Sequence, residues 1–299
     1  MAAACYLCGA EADHLFTGQD YEHFVPGKWQ IVQCRSCGLV YQDPLPHPSD
    51  LPGFYPAAYS AYNSDTFISA LFRLVYAQEA RRISRLVRPA APILDVGCGN
   101  GSMLMALKSR GYTNLSGVEI DPTAADRARQ SGIRVKTGEL VNVDFPAESF
   151  DLIRLGHVIE HVCDPVAVLR RAFDLLRPGG YIFGETPNTS CLDFKVFKKY
   201  WGALHLPRHV IMFSDENLMR ALEKAGFRDT TMEWGLRTVG WSTGIQNLLA
   251  DKFRLAIPDT GRVRWHGLLI LLFLPLTVGQ AVFSKTGNVR FIARKPLLS

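Results

Sequence analysis

ProIleLeuAspValGlyCysGlyAsnGlySer, Pro92 to Ser102, decides how the rest of this chain is read. The apolar run Ile93 to Val96, with turn residues behind it, reads as a buried strand ending in a glycine-rich loop. Gly97, Gly99 and Gly101 let the backbone turn sharply and approach a ligand where a Cβ would clash. A helix is expected to open near Ser102 (MetLeuMetAlaLeuLysSerArg), turning its unpaired N–H groups toward whatever the loop holds.

Gly-x-Gly-x-Gly by itself also serves plain connectors and dinucleotide sites. The next segment narrows the choice. AsnLeuSerGlyValGluIleAsp, Asn114 to Asp121, is a second short strand that carries Glu119 to its carboxyl end. A carboxylate there accepts both hydroxyls of a ribose, which selects an unphosphorylated nucleoside. Asp95, at the end of the first strand, suits a cationic amino group better than a pyrophosphate.

LeuAspValGlyCysGlyAsnGly resembles the first motif of the class I S-adenosylmethionine-dependent methyltransferases, and the rest of their pattern follows in order. GlyGluLeu at Gly138 ends a third strand, and PheAspLeuIle at Phe150 opens a fourth. LeuArgProGlyGly at Leu176 precedes a fifth, and GluThrProAsn at Glu185 ends it. The resemblance covers roughly Ile83 to Phe227 and again Asn288 to Lys295. It implies a doubly wound, Rossmann-like α/β sheet with its last strand antiparallel, and S-adenosylmethionine as cofactor. Asp95, Gly97, Gly99 and Gly101 would hold the methionine end and Glu119 the ribose, with Glu139 or Leu140 edging the adenine. Cys98, Ile120, Gly138 and Leu155 complete the implied cofactor set.

A chain of 299 residues is one large domain or two ordinary ones, and its composition excludes a disordered or collagen-like class. The opening MetAlaAlaAlaCysTyrLeuCys lacks the basic-then-apolar layout of a secretion signal, so a reducing cytosol is expected. In that compartment Cys5-x-x-Cys8-Gly and Cys34-x-x-Cys37-Gly read as metal ligands rather than disulfides. Four thiolates close a tetrahedral Zn²⁺ site, so the zinc is expected to stabilise a lobe over residues 1–45 and not to catalyse. A Pro- and Tyr-rich extended linker is expected over 46–65; its Tyr55, Tyr59 and Tyr62 either line an acceptor pocket or pack the linker down. From Thr66 to Arg88 the pattern turns helical, with one face basic. The methyltransferase domain is expected over 66–235 plus 288–299.

After the fourth strand comes LeuGlyHisValIleGluHisVal, Leu155 to Val162. His157 and His161 are spaced i, i+4, which places them on one helical face with Glu160 on the same turn. The segment resembles GluValIleGluHisVal of the ubiquinone-pathway O-methyltransferases and of the small-RNA 2′-O-methyltransferases. In those families two glutamates, a histidine and one more distant histidine hold a divalent metal against the acceptor hydroxyl. Here Glu160 and His161 match, His157 replaces the first glutamate, and His209 lies where the distant histidine would. Three readings stand. The four residues bind a metal such as Mg²⁺; or His157 or His209 is a metal-free general base with a pKa near neutrality; or Glu160 and His161 cap and orient the next helix.

Two final strands are expected near Thr230 to Trp234 and Val289 to Ala293, and residues 236–287 intervene where minimal relatives have a tight hairpin. That insertion is nearly uncharged from Trp265 to Phe283, with Pro275 and Gln280 interrupting the apolar run. Both ends return to one sheet, which rules out a single membrane crossing. A membrane-surface or re-entrant hairpin through 262–285 is expected, with Trp265, Arg262, Arg264 and Lys285 at headgroup level; the alternatives are a buried helix or a homodimer interface. From Lys252 onward there are eight bases and one acid, so the tail is basic and the remainder slightly acidic.

The layout as a whole resembles bacterial methyltransferases of cell-surface glycan and lipid-linked sugar assembly. It implies O-methylation of a sugar hydroxyl on a lipid-linked or glycan acceptor, by a cytoplasmic protein held peripherally at the inner membrane face, with no nucleic acid as partner. The competing readings are an rRNA base methyltransferase with a zinc ribbon, a quinone-pathway O-methyltransferase, and a catalytically silent cofactor-binding scaffold.

Overall fold

The computed structural model describes residues 4–22, 25–55, 66–235, 239–255, 257–258 and 261–297. The chain opens with three strands, β1 (Ala12–Gly18), β2 (Trp29–Cys34) and β3 (Val40–Gln42). Helix α1 (Thr66–Ile83) leads into β4 (Ile93–Val96), α2 (Ser102–Lys108), β5 (Leu115–Glu119), α3 (Pro122–Gln130) and β6 (Arg134–Thr137). Then come β7 (Phe150–Gly156), α4 (Pro165–Leu175), β8 (Leu176–Pro187), α5 (Leu192–Phe197), β9 (Ile211–Met212), α6 (Asp215–Lys224) and β10 (Arg228–Trp234). Two helices, α7 (Val239–Phe253) and α8 (His266–Phe283), precede the last strand β11 (Asn288–Arg294).

One sheet has the order β10-β11-β8-β7-β4-β5-β6. Its strands β4 to β8 run parallel, and β11 is antiparallel to both β8 and β10. The doubly wound α/β sheet with its last strand reversed is therefore present. Strands buried on both faces are mostly apolar, and Ile93 to Val96, buried at every position, carries one charged residue, Asp95. Helix starts are set locally: Asp121 and Asp164 accept N–H bonds at the heads of α3 and α4, and Ser214 with Asn217 forms a capping box for α6.

The N-terminal strands do not form a separate lobe. They join β9 in a second sheet, β1-β2-β3-β9, so a segment near the start pairs with one that follows β8. Cys5, Val32, Leu39 and Tyr41 share one apolar core with Leu94, Ile153, Ile211 and Leu218. The expected extended linker is also more structured: Pro48–Phe54 forms a 3-10 helix, and Tyr59 and Tyr62 lie outside the described residues. The helix expected to reach Arg88 ends at Ile83.

The insertion is a pair of packed helices, α7 against α8. Pro275 does not interrupt α8, and Gln280 is a buried hydrogen-bonding residue within it.

Candidate active site

The carboxyl ends of β4, β5 and β7 converge on the glycine loop. Gly97, Gly99 and Gly101 have φ of 66°, 54° and 81°, a region open to glycine at little cost. Around Gly99 there is open space where a Cβ would stand, as a loop that lies against a ligand requires. Glu119 closes the loop: its two carboxylate oxygens accept the Gly99 N–H (2.7 Å) and the Asp121 N–H (2.9 Å). Burial raises the Glu119 pKa, against the pull of those amides. Each oxygen keeps a second lone pair for a ligand hydroxyl. Ile120 beside it is exposed, and the Gly138 N–H bonds to the Glu119 carbonyl, so the turn Gly138–Glu139–Leu140 lies along the same edge. Cys98, Leu140 and Leu155 turn their side chains into the core, leaving only backbone for a ligand.

Asp95 sits near the end of β4 with a cationic partner already beside it. It faces Arg154 across the β4–β7 register and accepts its Nη1–H at 2.8 Å. Arg154 also donates to Glu79 of α1, at 2.6 and 3.3 Å, in a buried acid–base–acid set. Burial raises the Asp95 pKa and Arg154 opposes it. Its other oxygen, Oδ2, is buried without a hydrogen-bond partner among the described residues, so it is the atom left for a cationic group.

His157 to His161 form a turn, not a helix, and His157 sits at φ 56°. The turn rests on the cofactor loop: a Cβ on Gly97 would stand 2.6 Å from Val158 Cγ2. Glu160, fully buried, accepts from His157 Nδ1 (3.0 Å) and from the Thr186 hydroxyl (3.0 Å). Burial raises its pKa, but the His157 hydrogen bond and the neighbouring imidazoles outweigh that and bring it to about 2. His161 Nδ1 lies 3.0 Å from the Arg208 carbonyl and 3.0 Å from the Tyr55 hydroxyl, and His209 Nδ1 lies 2.8 Å from the Ala203 carbonyl. A carbonyl only accepts, so both Nδ1 atoms carry the proton and both Nε2 atoms present lone pairs.

One ligand atom from each of Glu160, His161 and His209 lies within 4.8 Å of the others. Burial holds the His209 pKa down to about 3, below the near-neutral value expected of a base there. The expected capping role of Glu160 and His161 also fails, because Asp164 caps α4.

These histidines border a cavity of about 220 Å³. Its other walls hold residues that the sequence did not mark as part of a site: Glu22 from the N-terminal segment, Asp193 of α5, Trp241 and Thr243 of α7, and Gln280 of α8. Arg262, expected at headgroup level, donates to Thr243 and lines the cavity. The signal for these positions was weak: polar residues inside apolar helices, at Asp193, Thr243 and Gln280.

A family model described as a methyltransferase domain matches residues 70–232, more than half of the chain. The chain belongs to this methyltransferase-domain family. The ubiquinone biosynthesis O-methyltransferase of Pseudomonas fluorescens (strain Pf0-1) is 36% identical over 104 residues, 32% of this chain and 44% of that protein. The one from Xanthomonas campestris pv. campestris (strain B100) is 33% identical over 119 residues, 37% of this chain and 49% of that protein. The chain thus spans about half the length of the curated relatives it matches. A solved S-adenosylmethionine-dependent methyltransferase from Archaeoglobus fulgidus shares the fold, with a TM-score of 0.53 at 18% identity, over 79% of this chain and 97% of that one.

The chain carries a second cluster away from the cavity. Cys5, Cys8, Cys34 and Cys37 each bring a sulfur within 4.8 Å of the others. Sγ–Sγ separations of 3.6 Å (Cys5–Cys37) and 3.4 Å (Cys8–Cys34) approach the ~3.8 Å edge of a tetrahedron with Zn–S bonds of ~2.3 Å. Burial raises the Cys34 pKa, but the amides of Cys37 and Ser36 outweigh it and hold the thiol at about 6. Gly9 and Gly38, at φ 78° and 74°, turn the chain behind each pair. The donors and spacing fit a structural zinc.

Proposed function

We propose that this protein transfers the methyl group of S-adenosylmethionine to an oxygen, and that the acceptor is a sugar hydroxyl on a lipid-linked or cell-surface glycan precursor. The observation that carries the reading is that one ligand atom from each of Glu160, His161 and His209 lies within 4.8 Å of the others beside a cavity lined by both histidines, next to a turn whose Val158 rests on the glycine loop. Methyl transfer from a sulfonium is a direct displacement, so the protein must bind the donor, exclude water and align one acceptor atom. The glycine loop and Glu119 suit the nucleoside, and the bare Asp95 Oδ2 suits the donor's ammonium.

Glu160, His161 and His209 fit a divalent metal, which when bound would acidify the acceptor hydroxyl. Two nitrogens and one carboxylate suit Mn²⁺, Co²⁺ or Zn²⁺ better than the Mg²⁺ of the sequence expectation, since Mg²⁺ prefers oxygen ligands. His157 is placed to take the proton. Glu160 holds its Nδ1–H, which leaves Nε2 as the basic atom, 3.4 Å from Asn288 Nδ2.

Glu22 and Arg262 stand on the cavity wall, and their charged groups suit a hydroxylated sugar better than the apolar ring of a quinone. Incubation with labelled S-adenosylmethionine and either lipid-linked sugars or a hydroxylated quinone tests the reading by mass spectrometry. Methylation of the sugar arm is expected. Transfer only to the quinone, or to nitrogen, would refute it.

A further inference from the structure

Helix α8 is inside out. Its fold-facing side carries His266, Thr277 and Gln280 along with Leu269, all buried. Its outer side carries Leu268, Leu271, Leu272, Leu276, Val282 and Phe283, exposed by 42 to 89%. These recur at helical spacing, so they form one aliphatic stripe along the whole element.

The polar side is fully employed. Gln280 accepts from Trp241 Nε1 (2.6 Å) and donates to Asp193 (2.8 Å), while His266 Nδ1 meets Gln246 of α7 at 3.0 Å. The helix cannot rotate to bury its leucines without breaking this network. Solvation in water favours the opposite arrangement, so the stripe calls for an apolar neighbour.

We infer that α8 lies flat in the headgroup–acyl boundary of an anionic membrane leaflet, aliphatic stripe inward, with the cavity directly behind it. Both ends of α8 are tied to the fold, through α7 before it and β11 in the sheet after it, so it lies along the surface and does not cross. At ~1.5 Å per residue its 18 residues cover ~27 Å of surface.

The charge at one end fits lipid. Lys252, Arg254, Arg264 and Trp265 are all exposed where α7 ends and α8 begins, with Phe253 and Leu255 exposed among them. A basic and aromatic cluster at the rim of an aliphatic stripe matches anionic headgroups above acyl chains. Lys285, expected at the other rim, instead pairs with Asp215 at 2.6 Å, so the electrostatic attraction is concentrated at the α7–α8 end.

Co-sedimentation of the full chain with phosphatidylglycerol-containing vesicles tests this. The wild type is expected to pellet with anionic vesicles and less with purely zwitterionic ones. Replacing Leu268, Leu271, Leu272 and Leu276 together by Ser should weaken partitioning by about tenfold or more, since several buried methylene groups are lost. Replacing Lys252, Arg254 and Arg264 by Glu should abolish the preference for anionic lipid. Unchanged S-adenosylmethionine affinity and melting temperature would show that both variants fold. A wild type that stays in the supernatant overturns the inference. So does a solution dimer that the four Ser substitutions dissociate, which would give the stripe to a second copy. Vesicle binding is read without turnover, so its failure and that of the proposed activity are separable.

Discussion

The imidazoles of His161 and His209 meet edge to face, centroids 4.6 Å apart, each with its Nδ1 tied to a main-chain carbonyl. Backbone atoms thus set both tautomers, as a pair of ligands requires. Protein stripped with chelator and reloaded with zinc at the cysteines should take up one further equivalent of Mn²⁺ or Co²⁺. Glu160→Gln and His209→Ala should each weaken that uptake about tenfold or more, seen by calorimetry and the Co²⁺ absorption spectrum. No second equivalent in the wild type would remove the metal from the reading.

Acid should destabilise the metal-free protein. His209 titrates at about 3 in the fold against an ordinary 6.5, because it is buried, and Glu160 at about 2 against 4.5. Both therefore bind protons more readily when unfolded. Their contribution is fully present above pH 6.5 and is lost as pH falls through 4.5 toward 2. His209 alone should cost on the order of 3 kcal/mol between pH 7 and pH 4.5. Urea unfolding at both pH values checks this, and His209→Leu should flatten the difference. Equal slopes in the two proteins would contradict the assignment.

Glu119→Ala should weaken S-adenosylmethionine binding by about 1–3 kcal/mol, from unpaired ligand hydroxyls and the freed Gly99 and Asp121 amides. Calorimetry decides it. An unaltered affinity would place the nucleoside elsewhere.

His157→Ala should lower turnover about 10²-fold with cofactor affinity unchanged, and His157→Gln should not restore it, since an amide cannot take a proton. Full turnover in either variant would leave His157 with no part in proton transfer.

The sheet was legible because its signals are local: the buried run Ile93 to Val96, the three glycines behind it, and Glu119 at the next strand end. The acceptor turn was not. Histidines four apart imply a helical face, but a positive φ at His157 is a tertiary outcome, held by Glu160 and by the strand beneath. Nor does periodicity reveal that Arg154 lies opposite Asp95, or that Glu79 reaches it from α1, because both are questions of register. An arginine inside the apolar strand Phe150–Gly156 was the available hint. Pro275 lies inside α8, a helix that packs along α7.

Zinc analysis should find one equivalent at Cys5, Cys8, Cys34 and Cys37 in protein purified without chelator. The sequence predicts that Cys34→Ser unfolds the N-terminal lobe alone. The structure extends the damage, because β3 pairs with β9 two residues beyond His209, and Asn217 donates to the Cys37 carbonyl. Cys34→Ser should lower the melting temperature and the turnover together, with cofactor affinity spared. A variant that keeps full turnover would show the two sheets to be independent.

Val158 fills the space that a side chain on residue 97 would need. The cofactor loop and the acceptor turn are therefore not interchangeable modules. A loop borrowed from another protein must bring glycine at that position, and an engineered turn with a bulkier residue at 158 would press on the donor site before it altered acceptor choice. Redesign of this protein for a new acceptor has more freedom at the far wall, which α7 and α8 supply through Trp241, Thr243 and Gln280.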